Sequence, residues 1–209
     1  MNEYQIAFIV TASLAGLMLL FIVLYKPIKR RIFLQHFVRI YGRNIYKIAL
    51  DHDFYLINRF GLVRQGRDIK TIDHILFGSK WIYVIKDCCY YGAISAKEND
   101  ASWIHYLSKK KKRYIDNPLK VNAERLNQLA MITQIDKNML ISVVVINDDC
   151  HIEPFERTSK TNFLVRRGHL HKLIKALENQ EVEAIDEKAL GQAVTEIYRL
   201  NLNRKNEHR

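Results

Sequence analysis

The sequence predicts an α/β (α+β) chain: a mixed β-sheet flanked by helices, preceded by one N-terminal transmembrane helix. Three observations carry this. Residues 6–25, "IAFIVTASLAGLMLLFIVLY", form an apolar run without a charge. Residues 54–89 hold three short segments rich in β-branched and aromatic residues, punctuated by Gly61, Gly66 and Gly78. Residues 139–147, "MLISVVVIN", are almost continuously apolar and follow a helical pattern.

The first run has 20 residues, enough to cross a bilayer core of roughly 30 Å. Twelve of them are Leu, Ile, Val or Phe, which together favour insertion by on the order of 4 to 7 kcal/mol. A buried core helix would show a polar stripe, and a cleaved signal peptide would carry basic residues ahead of its apolar run. Here Glu3 precedes the run, while Lys26, Lys29, Arg30 and Arg31 follow it. The positive-inside rule then predicts a single-pass protein of the cell membrane, N-terminus outside and C-terminal domain in the cytoplasm. Two of the three cysteines are neighbours, which is no disulfide framework and agrees with a reducing compartment. The four basic residues after the run suit anionic lipid head groups, at roughly 1 kcal/mol per charge near the surface. Membrane lipids are thus the first expected partner.

Residues 28–50 predict an amphipathic helix, with Phe33, Phe37, Ile40, Tyr41, Ile45 and Ile48 at helical spacing and Arg39, Arg43 and Lys47 opposite. "FYLINRF" (54–60), "TIDHILFG" (71–78) and "KWIYVIKDCC" (80–89) read as an antiparallel three-stranded meander. Residues 102–117 are polar and basic. Residues 118–135 read as a helix, with Asn117 as N-cap and Pro118 in the first turn. Residues 139–147 read as a strand buried on both faces, and "NFLVRRG" (162–168) as a short strand ending at Gly168. Residues 169–178 and 186–200 read as helices, and the last ten residues as a charged tail. The predicted organisation is an anchor at 1–25, a basic juxtamembrane helix at 26–50, a main domain at 40–180, and a C-terminal helix and charged tail at 181–209.

A formal charge of +11 points to an acidic partner, nucleic acid or anionic lipid. "SKKKKR" at 108–113 is the densest run, and Trp103, Tyr106 and Tyr114 are interleaved with it. Aromatics beside cations suit a surface that stacks bases and contacts phosphate, so Lys109, Lys110, Lys111, Lys112 and Arg113 are candidate nucleic-acid contacts. A solvated charged loop explains the same run. Asp73 sits inside the apolar stretch "TIDHIL", where a carboxylate needs a partner. On the strand "YVIKDCC", alternation puts Lys86 and Cys88 on one face and Asp87 and Cys89 on the other. Small buried hydrophobes, a thiolate activated by Lys86, and a soft-metal site with Cys150 and His151 are three readings of the cysteine pair.

The order "IDHI", "YVI…YYG", Trp103 and "NPL" at 117–119 resembles the nuclease-related domain, called NERD, over roughly residues 40–180. That family is similar in fold to the restriction-endonuclease-like PD-(D/E)xK enzymes. The resemblance implies a glutamate on the first helix, the aspartate of "IDH", and a glutamate and lysine spaced E-x-K on the next strand. The carboxylates hold a divalent metal that acidifies a water, and the lysine orients it. By position the first glutamate falls on Arg43, the aspartate on Asp73, the second glutamate on Lys86 and the lysine on Cys88. One family-type acid remains among cations, which predicts no metal site, no cofactor and a pairing of Asp73 with Lys86 or Arg43.

The expected function is therefore a membrane-anchored, catalytically degenerate domain that binds nucleic acid non-specifically at the cytoplasmic face. The alternatives are a Mg²⁺-dependent nuclease with a rearranged site on Asp73 and Asp87 or Glu98, and a protein-interaction component of a membrane complex.

Overall fold

The computed structural model describes residues 2–64, 67–108, 110–153 and 157–207, and it divides into two compact units, Met1–Ile40 and Tyr41–Arg209. The first unit is purely helical. Helix α1 runs Glu3–His52 and passes through Pro27. The apolar span and the basic helix, read separately from the sequence, are thus one element. Proline has no N–H, so the Val23 carbonyl loses its usual helical partner there. The side chains of Leu17, Leu20, Phe21, Leu24 and Ile28 are exposed, with no polar stripe. By length and composition this helix is apolar enough to cross a membrane.

The second unit is mixed α+β. Its first sheet has the order β1-β2-β3-β7-β9, built from β1 (Tyr55–Arg64), β2 (Arg67–Phe77), β3 (Ile82–Cys88), β7 (Leu140–Ile146) and β9 (Asn162–Arg166). The predicted meander is present: β1 and β2 pair Ile57 with Ile75, and β2 and β3 pair Ile75 with Val84, both antiparallel. β7 lies parallel between β3 and β9 and is buried at every residue, as its apolar run requires.

The second sheet, in the order β6-β5-β4-β8, was not read from the sequence. It comprises β4 (Ala93–Ser95), β5 (Ser102–Ser108), β6 (Lys111–Asp116) and β8 (His151–Ile152). Polar residues 102–117 are a hairpin, not a loop. Gly92 makes the approach to β4 feasible: its φ is +97°, and any Cβ there would land on the Tyr106 carbonyl.

Helix α2 (Pro118–Thr133) starts as predicted. The Asn117 Oδ1 accepts from the Leu119 N–H at 3.0 Å, and its Nδ2 donates to the Glu98 and Asp100 carbonyls at 2.9 and 2.8 Å. Helix α3 (Leu170–Glu178) and helix α4 (Glu187–Glu207) complete the chain, α4 running on into the segment read as a tail. One core joins the first sheet to α2 and α4 through Ile57, Ile75, Val84, Leu126, Leu129 and Ile197. A second, with Cys88, Ile94, Trp103, Leu119 and Ile146, joins the two sheets. The end of α1 buries Tyr41, Ile45 and Ile48, one stripe at helical spacing. Gly42 lies close to the His74 ring.

Candidate functional site

The site is assembled on β2 and β3. Ile75 faces Val84 and His74 faces Ile85, the last paired position. One step further along, Asp73 reaches β3 itself: its Oδ2 accepts from the Asp87 backbone N–H at 2.9 Å. Alternation places Asp73, Lys86 and Cys88 on one face and His74 and Asp87 on the other. Asp73 and Lys86 are half-buried, and Cys88 is buried. The structure therefore brings together three of the four positions carried over from the family. Arg43 is exposed on α1, and among the described residues no ion pair joins Asp73 to it or to Lys86. The expected pairing is replaced by the backbone hydrogen bond.

Asp87 is occupied elsewhere. Its Oδ2 lies 2.8 Å from His74 Nε2, and His74 Nδ1 lies 2.6 Å from Asn58 Oδ1. His74 and Asp87 are 3% and 7% exposed, so this is a buried polar pair. Burial raises the Asp87 pKa, against the opposing pull of His74. The other Asp87 oxygen has no hydrogen-bond partner among the described residues. No bulge turns Asp87 towards Asp73. His74 was missed in the sequence, although its place directly after Asp73 on an alternating strand assigns it to the opposite face.

Glu98 is also committed. It accepts from the Thr158 N–H and hydroxyl and from the Ser159 N–H, the last two at 3.0 and 3.1 Å. Burial alone would raise its pKa, but these hydrogen bonds and the Arg157 charge outweigh it and hold the carboxyl below its ordinary value. Among the described residues no three His, Cys, Asp or Glu side chains gather as a metal site.

Burial pushes the Cys88 thiol up to about 11, and the nearby Lys86 only partly offsets this. Cys150 is likewise pushed up to about 11 by burial, against Arg166. Both belong to the core between the sheets, while His151 is exposed on β8. The small-hydrophobe reading fits Cys88, where a thiolate is disfavoured, while Cys89 is only half-buried; Cys150 shares the buried setting of Cys88.

The basic run lies on the β5–β6 hairpin. Lys109 falls outside the described residues, whereas Lys110, Lys111, Lys112 and Arg113 are exposed. Arg113 Nε donates to His105 Nδ1 at 3.2 Å, so His105 Nε2 carries the proton it gives to the Tyr91 carbonyl at 2.6 Å. Trp103 is fully buried and donates to the Lys97 carbonyl, which removes it from the proposed stacking surface. Tyr106 and Tyr114 remain exposed. In the first unit, Lys26, Lys29, Arg30 and Arg31 are exposed on α1, with Lys29 Nζ 5.7 Å from the Tyr25 ring centre.

A family model described as a nuclease-related domain matches residues 41–147. An uncharacterized protein of Bacillus anthracis is 23% identical over 137 residues, covering 63% of this chain and 64% of that protein. The chain thus spans less than two thirds of that relative's length. No solved structure matches the chain significantly.

Proposed function

The chain belongs to the nuclease-related domain family, and from that premise we propose a membrane-anchored, catalytically inactive member that holds nucleic acid non-specifically at the cytoplasmic face of the membrane. One observation carries this reading: β3 turns Lys86 and Cys88, not a carboxylate and a lysine, towards the face of Asp73. A magnesium ion wants several hard oxygen ligands in near-octahedral order. A single half-buried carboxylate already bonded to a backbone N–H, next to an ammonium and a buried thiol, does not fit that ion. Asp87 and Glu98, the two acids that could complete a rearranged site, are held by His74 and by Thr158 and Ser159.

The retained function is electrostatic. The exposed cations of the β5–β6 hairpin suit phosphate, and contacts of this kind release counterions and weaken with salt. The exposed apolar stretch of α1 and the basic cluster that follows it on the same helix support the anchor and its orientation.

The test uses the full chain in a neutral detergent with labelled DNA, in EDTA and in Mg²⁺ or Mn²⁺. Binding in EDTA that falls steeply with salt, without cleavage in either metal, is expected. Lys110→Glu and Lys112→Glu should weaken binding across all sequences and lower the salt slope by about one per lost contact. Cleavage that Asp73→Ala abolishes would overturn the inactive reading in favour of a metal nuclease. Neither binding nor cleavage would leave the protein-interaction reading.

A further inference from the structure

The second sheet has one covered face and one open face. The covered face carries Ile152, Ile94, His105 and Arg113 in register, one from each strand, with Trp103 beside them; Arg113, on the rim strand, stays exposed. Ile94, His105 and Trp103 are essentially buried. The open face carries the alternate residues. One transverse row is His151, Ala93, Tyr106 and Lys112; the next is Ser95, Ile104 and Tyr114. Tyr106 is 38% exposed and Tyr114 68%. The small side chains of Ala93 and Ser95 leave the space beside the tyrosines uncovered.

Resting on the nucleic-acid reading above, we propose that this open face is a stacking platform for single-stranded nucleic acid. Tyr106 and Tyr114 receive unpaired bases, and Lys110 and Lys112 take the phosphates between them. The rings select a single strand over a duplex. Aromatic rings on a sheet face can stack only on bases whose faces are free, which a duplex hides. Lys112 stands in the same row as Tyr106, and Lys110 lies in the turn just before β6. Asp116, exposed opposite Ser102, closes the track with the opposite charge.

The test compares binding of the full chain, in neutral detergent, to a fluorescent oligothymidine of about twelve nucleotides, within the usual span of single-strand sites, and to a duplex of equal length. Tighter binding of the single strand is expected. Tyr106→Ala and Tyr114→Ala should each weaken it by about tenfold and leave duplex binding unchanged, and Tyr114→Phe should retain it. Circular dichroism of each variant separates a lost contact from a lost fold. Equal binding of both ligands, or alanine variants that bind the single strand as well as the parent, would overturn the platform yet leave the nucleic-acid reading standing. Binding of neither ligand would remove both.

Discussion

Asp87 shows how a single residue can be read correctly for direction and missed for purpose. Alternation along β3 turns it away from Asp73, and so it lies, but its pairing with His74 depends on the β2–β3 register. The pair is buried, so deleting one member strands the other. His74→Ala is expected to cost about 3–5 kcal/mol in chemical unfolding at neutral pH. Asp87 has a raised folded pKa, so its proton is bound more tightly in the fold. Its destabilising charge therefore appears as pH rises above the ordinary carboxylate range, and the His74→Ala deficit should shrink as pH falls towards it. Thiol chemistry gives a second check at this scale. Cys88 and Cys150, both pushed up to about 11, should resist iodoacetamide at neutral pH in the folded chain. Mass spectrometry should find them labelled only after unfolding.

Glu98 works between elements: from the β4–β5 connection it holds the backbone of Thr158 and Ser159 ahead of β9. Its folded pKa is depressed, so its stabilising share is complete above the usual carboxylate value, about 4.3. That share is lost as pH falls through the depressed value. Thermal melts across acid pH should show a decline that Glu98→Gln flattens. Gly92→Ala should destabilise by about 2 kcal/mol or more, because a left-handed backbone and the Tyr106 carbonyl both oppose a side chain. The elements differ in how much of them was legible. β7 announces itself through an unbroken apolar run, and α2 through Asn117 and Pro118 at its start. β5 and β6 did not, because one face of their sheet is open and their alternation mixes a buried tryptophan and histidine with lysines. β4 and β8 are too short, at three and two residues, to carry a periodic signal at all. For the site, strand alternation was enough to group Asp73, Lys86 and Cys88. What each carboxylate binds depends on residues 13 to 61 positions away, such as His74 for Asp87 and Ser159 for Glu98.

For the molecule as a whole, the two units carry the same sign of charge in different settings. Unit one places Lys26, Lys29, Arg30 and Arg31 straight after the exposed apolar stretch of α1. Unit two places its cations on a hairpin. The chain should therefore stay with the membrane fraction through alkaline carbonate washing. In right-side-out cells its C-terminal unit should be shielded from added protease. Replacing the four cations after the apolar stretch of α1 by glutamate should scramble that orientation while leaving the second unit folded.

The position of β6 at the rim of its sheet has a consequence of another kind. A rim strand offers a row of free amide and carbonyl groups to any similar strand, which is how fibres and precipitates begin. Charge on Lys111, Lys112 and Arg113 along it should keep neighbouring copies apart. Stripping that charge with neutral residues should make purified protein clump, as light scattering would register, before any question of ligand arises.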